Sequence, residues 1–147
     1  MTEPLRTSNM VIVDSSVWIE AARKQGAVAC KVALEALLEE YEATLCSPVK
    51  LEVLGGARAE DRRGLAAGFA VIPYLQVDET IWELAVKNAW RLRDAGLTVP
   101  WNDVLIASLS IHHICRVYAL DKHFEQMQSV IGVLPYRPGY GGSYSVD

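Results

Sequence analysis

Apolar positions along the chain form two kinds of pattern. Met10–Val13 is a short apolar run without helical spacing, which is typical of a buried strand. The segment Ala27–Tyr41 instead repeats its apolar residues at the spacing of one helical face, which carries Leu34, Leu37, Leu38 and Tyr41. The chain therefore begins with a strand and reaches an amphipathic helix after a polar turn at Asp14-Ser15-Ser16.

The same patterns continue to the end of the sequence and alternate between strand and helix. Further strands are predicted at Ala43–Cys46, Arg116–Leu120 and Val133–Tyr136, while Val71–Leu75 is either a strand or a buried connector. The other predicted helices are Val17–Arg23, a short helix opened by Ser47-Pro48 and stopped by Gly55-Gly56, a helix capped by Asp78 that runs to Asp94, Trp101–His113, and Phe124–Gln128. This order favours an α/β fold with a parallel sheet, whose ligands bind beyond the carboxyl ends of the strands.

Length and composition fit one ordinary domain. The chain has 147 residues, of which 51% are hydrophobic and 22% are charged. A core of this size needs neither disulfides nor a structural metal. We expect a single domain over residues 1–136, followed by a mobile Gly/Tyr/Ser tail over residues 137–147.

Charge and cysteine content restrict the classes of protein and the cellular location that fit this chain. The formal net charge is −4, so the chain as a whole does not attract nucleic acid, yet it becomes balanced if four acidic residues bind metal. Cys30, Cys46 and Cys115 have no metal-ligand spacing and are expected to be reduced core residues. Because the N-terminal segment is polar and no apolar stretch is long enough to span a bilayer, we expect a cytoplasmic protein.

Four acidic residues, far apart in sequence, fall where this fold would place a ligand. Asp14 directly follows VIV, and Asp121 directly follows VYAL. Glu52 lies one turn into a helix that follows a strand, and Asp103 lies at the opening of another helix. Each has an ordinary explanation alone, as a helix cap, a residue favoured by the helix dipole or a solvated acid. Their convergence at one sheet edge is what predicts a site.

Four neighbouring carboxylates repel one another unless cations compensate them. Oxygen ligands favour Mg²⁺ or Mn²⁺, and ions held in this way activate water for phosphodiester cleavage. A side-chain nucleophile is then unnecessary.

The segments VIVDSSVWIE, SPVKLEVLGG, WNDVLIASLS and ALDKHF, in this order, resemble the PIN-domain ribonucleases, and within them the VapC-type toxins of toxin–antitoxin pairs. The resemblance runs from Val11 to about Phe124. It implies a PIN-like three-layer fold with five parallel strands, a homodimer, and inhibition by a small antitoxin that also binds DNA. It also implies a single-strand-selective endoribonuclease with Mg²⁺ or Mn²⁺ as cofactor. The implied catalytic metal ligands are Asp14, Glu52, Asp103 and Asp121, with Ser15, Ser16 and Asn102 in support.

Two positions depart from the family pattern. Ala119 stands where a Thr or Ser is frequent, and His123 stands where many members carry a further acid. One hydroxyl contact is therefore missing, and a second metal ion would be held more weakly or with help from the substrate.

Other functions remain open from the residues alone. A catalytically inactive PIN-like interaction module has the same sequence pattern, and a structure-selective DNA nuclease is a less favoured alternative because the chain has little room for DNA-clamping insertions. A receiver-type phosphoacceptor would need paired acids after its first strand, where this chain has Val13 before Asp14. The tandem His112-His113 cannot chelate one ion, since helical neighbours point about 100° apart.

Two surfaces are candidates for partner binding. Trp82, Val86 and Trp90 form a second apolar stripe on their helix and predict a homodimer contact. A groove for a partner helix is expected between the first two helices, lined by Trp18, Ile19, Leu34, Leu37 and Leu38. The basic residues are more typical of a solvated face than of a phosphate site; they are Arg58, Arg62, Arg63, Arg91 and Arg93.

Overall fold

The first strand, β1 (Val11–Val13), is buried along its whole length. It lies in a computed structural model that describes residues 9–138. The other strands of this part of the chain are β2 (Ala43–Cys46), β3 (Tyr74–Leu75), β4 (Arg116–Tyr118) and β5 (Leu134–Pro135). The helices are α1 (Ser15–Ala22), α2 (Val28–Glu39), α3 (Ser47–Gly55), α4 (Arg62–Phe69), α5 (Glu79–Asp94), α6 (Trp101–His113) and α7 (His123–Ile131).

The strands form one parallel sheet in the order β3-β2-β1-β4-β5. The chain leaves β1 toward β2 on one side and leaves β4 toward β5 on the other, so the direction of winding changes between β1 and β4. Ligands of open parallel sheets bind at such a change of direction. The predicted α/β fold with about five parallel strands is confirmed.

Alternation along β1 divides the core into two parts. Val11 and Val13 pack with Val17, Cys30 and other buried residues of α1 and α2. Ile12 points to the opposite side of the sheet, into the larger cluster to which α5, α6 and α7 contribute. Helices thus cover both faces, which makes the three layers expected from the sequence.

Several predicted helix boundaries are confirmed. The Asp78 side chain caps α5 by accepting the Ile81 N–H at 3.1 Å, and α6 begins at Trp101 and ends at His113. Gly55 and Gly56 end α3, although Cys46, not Ser47, precedes its first residue. The Val71–Leu75 segment holds the two-residue strand β3.

The sequence prediction for β4 was too long. Pairing with β1 ends at Val13 opposite Tyr118, because the chain turns into α1 after Val13. The Asp14 N–H donates to the Tyr118 carbonyl at 2.8 Å as the last link between the two strands. Asp121 therefore lies three residues beyond β4, in a short loop, and not directly at the strand end.

The predicted lining of a groove between α1 and α2 is wrong for Leu34 and Leu37. Leu34 and Leu37 are buried in the core, and Trp18 packs edge-to-face on Phe69 while its indole N–H donates to the Val13 carbonyl. Only Ile19 and Leu38 of the five proposed lining residues are exposed. Because α1 and α2 pack against each other as well as on the sheet, Leu34 and Leu37 are buried in that packing and are not available to line a groove.

The expectations for the C-terminal tail, the cysteines and membrane spans can also be compared with the structure. The tail predicted from Arg137 lies outside the described residues from position 139 onward. Cys30, Cys46 and Cys115 are buried and free. Within residues 9–138, every helix is too short or too polar to cross a bilayer.

Candidate functional site

Asp14 is both a helix cap and a member of the acidic cluster. Its Oδ2 accepts the Ser16 N–H at 3.2 Å and the Ser16 hydroxyl at 2.6 Å, which caps α1. The Ser16 hydroxyl oxygen also accepts the Leu120 N–H at 3.1 Å. Asp14 is only 3% exposed, so β1 delivers a nearly buried carboxylate to the sheet edge and Ser16 ties it to the loop after β4.

Glu52 is held at both of its oxygens. Its Oε2 accepts the Ser15 hydroxyl at 2.8 Å, and its Oε1 accepts the Asn102 amide at 3.0 Å. Ser15 is the neighbour of Asp14, and Asn102 is the neighbour of Asp103. These two bonds therefore connect α3 to both other parts of the cluster.

Asp103 and Asp121 meet at a histidine. Nδ1 of His123 lies 2.5 Å from Asp103 Oδ2 and 3.3 Å from Asp121 Oδ1. Asp121 Oδ1 also accepts the backbone N–H of His123 at 3.0 Å. The first turn of α6 and the start of α7 thus bring two carboxylates and an imidazole together.

The acidic groups influence one another electrostatically. Burial raises the pKa of the Asp14 carboxyl, and the Asp121 and Glu52 charges raise it further against the bonds from Ser16. Burial likewise raises the pKa of Asp103 to about 6, with further increases from Asp121 and Asp14, while the hydrogen bond to His123 acts in the opposite direction. The cluster carries closely spaced negative charge, which a cation would relieve.

The donor atoms at this edge fit a divalent cation. Asp103, Asp121 and His123 each offer one ligand atom, and these atoms lie within 4.8 Å of one another. Asp14 and Glu52 are close enough to contribute to the electrostatics of the same cluster. Carboxylate oxygens with one imidazole nitrogen are ligands for hard or borderline divalent ions.

The four acids lie together at one edge, as the sequence analysis expected, and His123 lies between two of them. The sequence already shows His123 two residues after Asp121 and directly before a predicted helix. Asn102 and Ser15 turn out to hold Glu52, whereas Ser16 holds Asp14. Ala119, at the position expected to carry a hydroxyl, is half-buried.

The remaining candidates lie away from this cluster. Arg58 pairs with Asp61 at 3.2 Å and Glu60 at 3.7 Å, as expected of a solvated face. The rings of His112 and His113 contact each other edge-to-face at the end of α6. Trp82 and Trp90 are 51% and 63% exposed, and they line a cleft of about 380 Å³ together with Trp101.

Comparison with known proteins adds family evidence. A family model for the PIN domain matches residues 11–129. Ribonuclease VapC11 of Mycobacterium tuberculosis is 35% identical over 121 residues, which cover 79% of this chain and 90% of that protein.

Solved structures share the fold. FitAcB from Neisseria gonorrhoeae has a TM-score of 0.72 at 18% identity, covering 88% of this chain and 98% of that one. VapBC2 from Rickettsia felis, bound to a DNA fragment from their promoter, has a TM-score of 0.71 at 16% identity, covering 86% of this chain and 96% of that one. This likeness supports the same three-layer arrangement.

Proposed function

The chain belongs to the PIN domain family, and on that premise we propose that it is a metal-dependent endoribonuclease and the toxin of a toxin–antitoxin pair. The main support for this proposal is that four acidic residues from separate segments converge at the sheet edge where the winding of the chain changes direction. They are Asp14, Glu52, Asp103 and Asp121. The name of the similar VapC11 protein, a ribonuclease, supports RNA as the substrate.

The four carboxylates are proposed to hold Mg²⁺ or Mn²⁺ by their oxygens. A divalent ion bound by these carboxylates would supply an activated water and would stabilise the leaving oxygen of the phosphodiester. Ser15 and Asn102 orient Glu52 by their hydrogen bonds, and Ser16 orients Asp14. Asp14 and Asp103 are buried, whereas the side chains of Asp121 and His123 are about one-third exposed and leave the cluster open to solution.

An antitoxin is the proposed protein partner. The VapBC2 structure was determined on promoter DNA, and this supports a small DNA-binding protein encoded with the toxin. Inhibition would follow if that protein placed an Arg or Lys against the carboxylates, because such a cation competes with the metal for the same charge. The buried Leu34 and Leu37 are not part of its binding surface.

A homodimer through α5 is also proposed. Ile81 and Leu92 of this helix are buried, whereas Trp82, Val86 and Trp90 are exposed together. Exposed aromatic patches of this kind are typical of protein interfaces.

The three buried, free cysteines support a reducing cytoplasmic location.

Cleavage of a labelled single-stranded RNA by the purified chain tests the activity. We expect cutting with Mg²⁺ or Mn²⁺ and none after chelation. The matched control is Asp94→Asn, which neutralises an exposed acid at the end of α5 and should leave the rate unchanged. Metal binding without cleavage would identify an inactive interaction module, and preferential cutting of DNA would identify the DNA-nuclease alternative.

A further inference from the structure

His123 occupies the space between two of the proposed ligands. Its Nδ1 faces Asp103 Oδ2 at 2.5 Å and Asp121 Oδ1 at 3.3 Å, so a single ring nitrogen is shared by two carboxylates. A surface histidine that merely pairs with one acid would not require this placement. The ring is about one-third exposed, which leaves it accessible from solution.

The backbone places His123 beside the two carboxylates, and the side-chain contacts of Nδ1 hold the ring between them. His123 is the first residue of α7, and its N–H is bonded to Asp121. The next residue, Phe124, is 2% exposed and anchors the start of the helix in the core. The residue that carries the imidazole is therefore held in place by the start of α7.

The spacing of the donor atoms suits ligands that share one ion. With bonds of about 2.1 Å, adjacent ligand atoms of an octahedral ion are separated by about 3.0 Å. The 3.3 Å distance from Nδ1 to Asp121 Oδ1 is near this value, whereas the 2.5 Å contact with Asp103 Oδ2 is a hydrogen bond whose proton the metal ion would replace as the two atoms separate slightly.

Resting on the function proposed above, we propose that His123 is itself a metal ligand, through Nδ1, so that this site binds its ion with carboxylate oxygens and one nitrogen. An imidazole nitrogen is softer than a carboxylate oxygen, and it favours Mn²⁺ over Mg²⁺ relative to a site made only of oxygen. His123 thereby biases the choice of metal in this chain.

Pulsed electron paramagnetic resonance of the Mn²⁺-loaded protein tests direct ligation. We expect echo modulation from a directly bound nitrogen in the wild type, and a changed modulation when the protein contains histidine labelled with the heavy nitrogen isotope. The coupling should disappear in His123→Asp and in His123→Asn. The matched control removes the other two histidines, as His112→Asn together with His113→Asn, and should keep the signal.

Calorimetric titration with Mn²⁺ and with Mg²⁺ tests the consequence for metal choice. His123→Asp replaces the nitrogen by an oxygen ligand, so the ratio of Mn²⁺ to Mg²⁺ affinity should fall by about tenfold or more. Bound Mn²⁺ without nitrogen coupling, or an unchanged affinity ratio, would overturn the ligand role of His123 while leaving the metal-dependent nuclease intact. Failure of the wild type to bind either ion would overturn the proposed metal site as well.

Discussion

The two halves of the acidic cluster are held by different chemistry. Asp14 and Glu52 are fixed by the neutral donors Ser15, Ser16 and Asn102, whereas Asp103 and Asp121 meet at His123. Hydroxyl and amide donors orient a carboxylate without changing its charge. The imidazole between two carboxylates donates its Nδ1–H to them, and loss of that proton frees the Nδ1 lone pair for a metal. Asp14 and Glu52 are therefore oriented before any ion binds, whereas the arrangement of Asp103 and Asp121 depends on the His123 ring between them.

The largest expected effect comes from neutralising a ligand in either half. Asp14→Asn and Asp121→Asn should each lower the rate of RNA cleavage by at least about a hundredfold, because several kcal/mol of charge stabilisation are lost. Initial rates at saturating Mn²⁺ would measure this, with Asp94→Asn as the control. If only one half were required, one of the two variants would keep a wild-type rate.

A smaller effect is expected from the donors that hold Glu52. Ser15→Ala and Asn102→Ala leave every carboxylate in place, so activity should fall by about 10- to 100-fold, as for other groups that orient metal ligands. Raising the metal concentration should restore part of the rate. Ser129→Ala on the exposed side of α7 is the matched control. Full activity in the Ser15→Ala, Asn102→Ala double variant would show that Glu52 needs no orientation.

The stability of the metal-free protein depends on pH through the buried carboxylates of both halves. The pKa of Asp103 is raised from 3.8 to about 6, so its ionisation opposes folding as the pH rises through this interval. Asp103→Asn should therefore match the wild type near pH 4 and exceed it at pH 7 by on the order of 1–2 kcal/mol.

Urea unfolding of the two proteins at both pH values, with chelator present, measures this difference. Added Mn²⁺ should reverse the order, because only the wild type keeps the full ligand set. A difference that does not change with pH would contradict the electrostatic explanation.

The smallest effect on the site is expected from breaking the proposed dimer. Trp90→Glu places a charge on the exposed face of α5, so light scattering should show monomers. Both halves of the cluster come from one chain, and metal affinity should therefore stay unchanged. An unaltered mass with an intact fold would remove Trp90 from the interface, while lost metal binding would show that the partner completes the site.

Much of this arrangement was predictable because it depends on local patterns. The apolar run of β1, the Asp78 cap and the position of Asp14 at the end of β1 are local signals, and the structure bears out these positions. The end of β4 was not predictable, since it is set by where β1 turns into α1 on the neighbouring strand. The burial of Leu34 and Leu37 likewise depends on how α1 and α2 pack together.

His123 shows the same limit at the site itself. Its sequence position beside Asp121 was visible, but its distance from Asp103 depends on how α6 approaches α7. A contact between residues 20 positions apart, on different helices, cannot be obtained from periodicity.

The Ser16 hydroxyl that receives the Leu120 N–H joins residues 104 positions apart in sequence. At common rates of translation, a ribosome needs about 5–20 s to add that length of chain. For most of that time β1 has β2 available as a neighbour, but β4 and the residues Asp103 and Asp121 have not been made. A nascent chain that has not reached residue 121 therefore lacks at least one of the four clustered carboxylates.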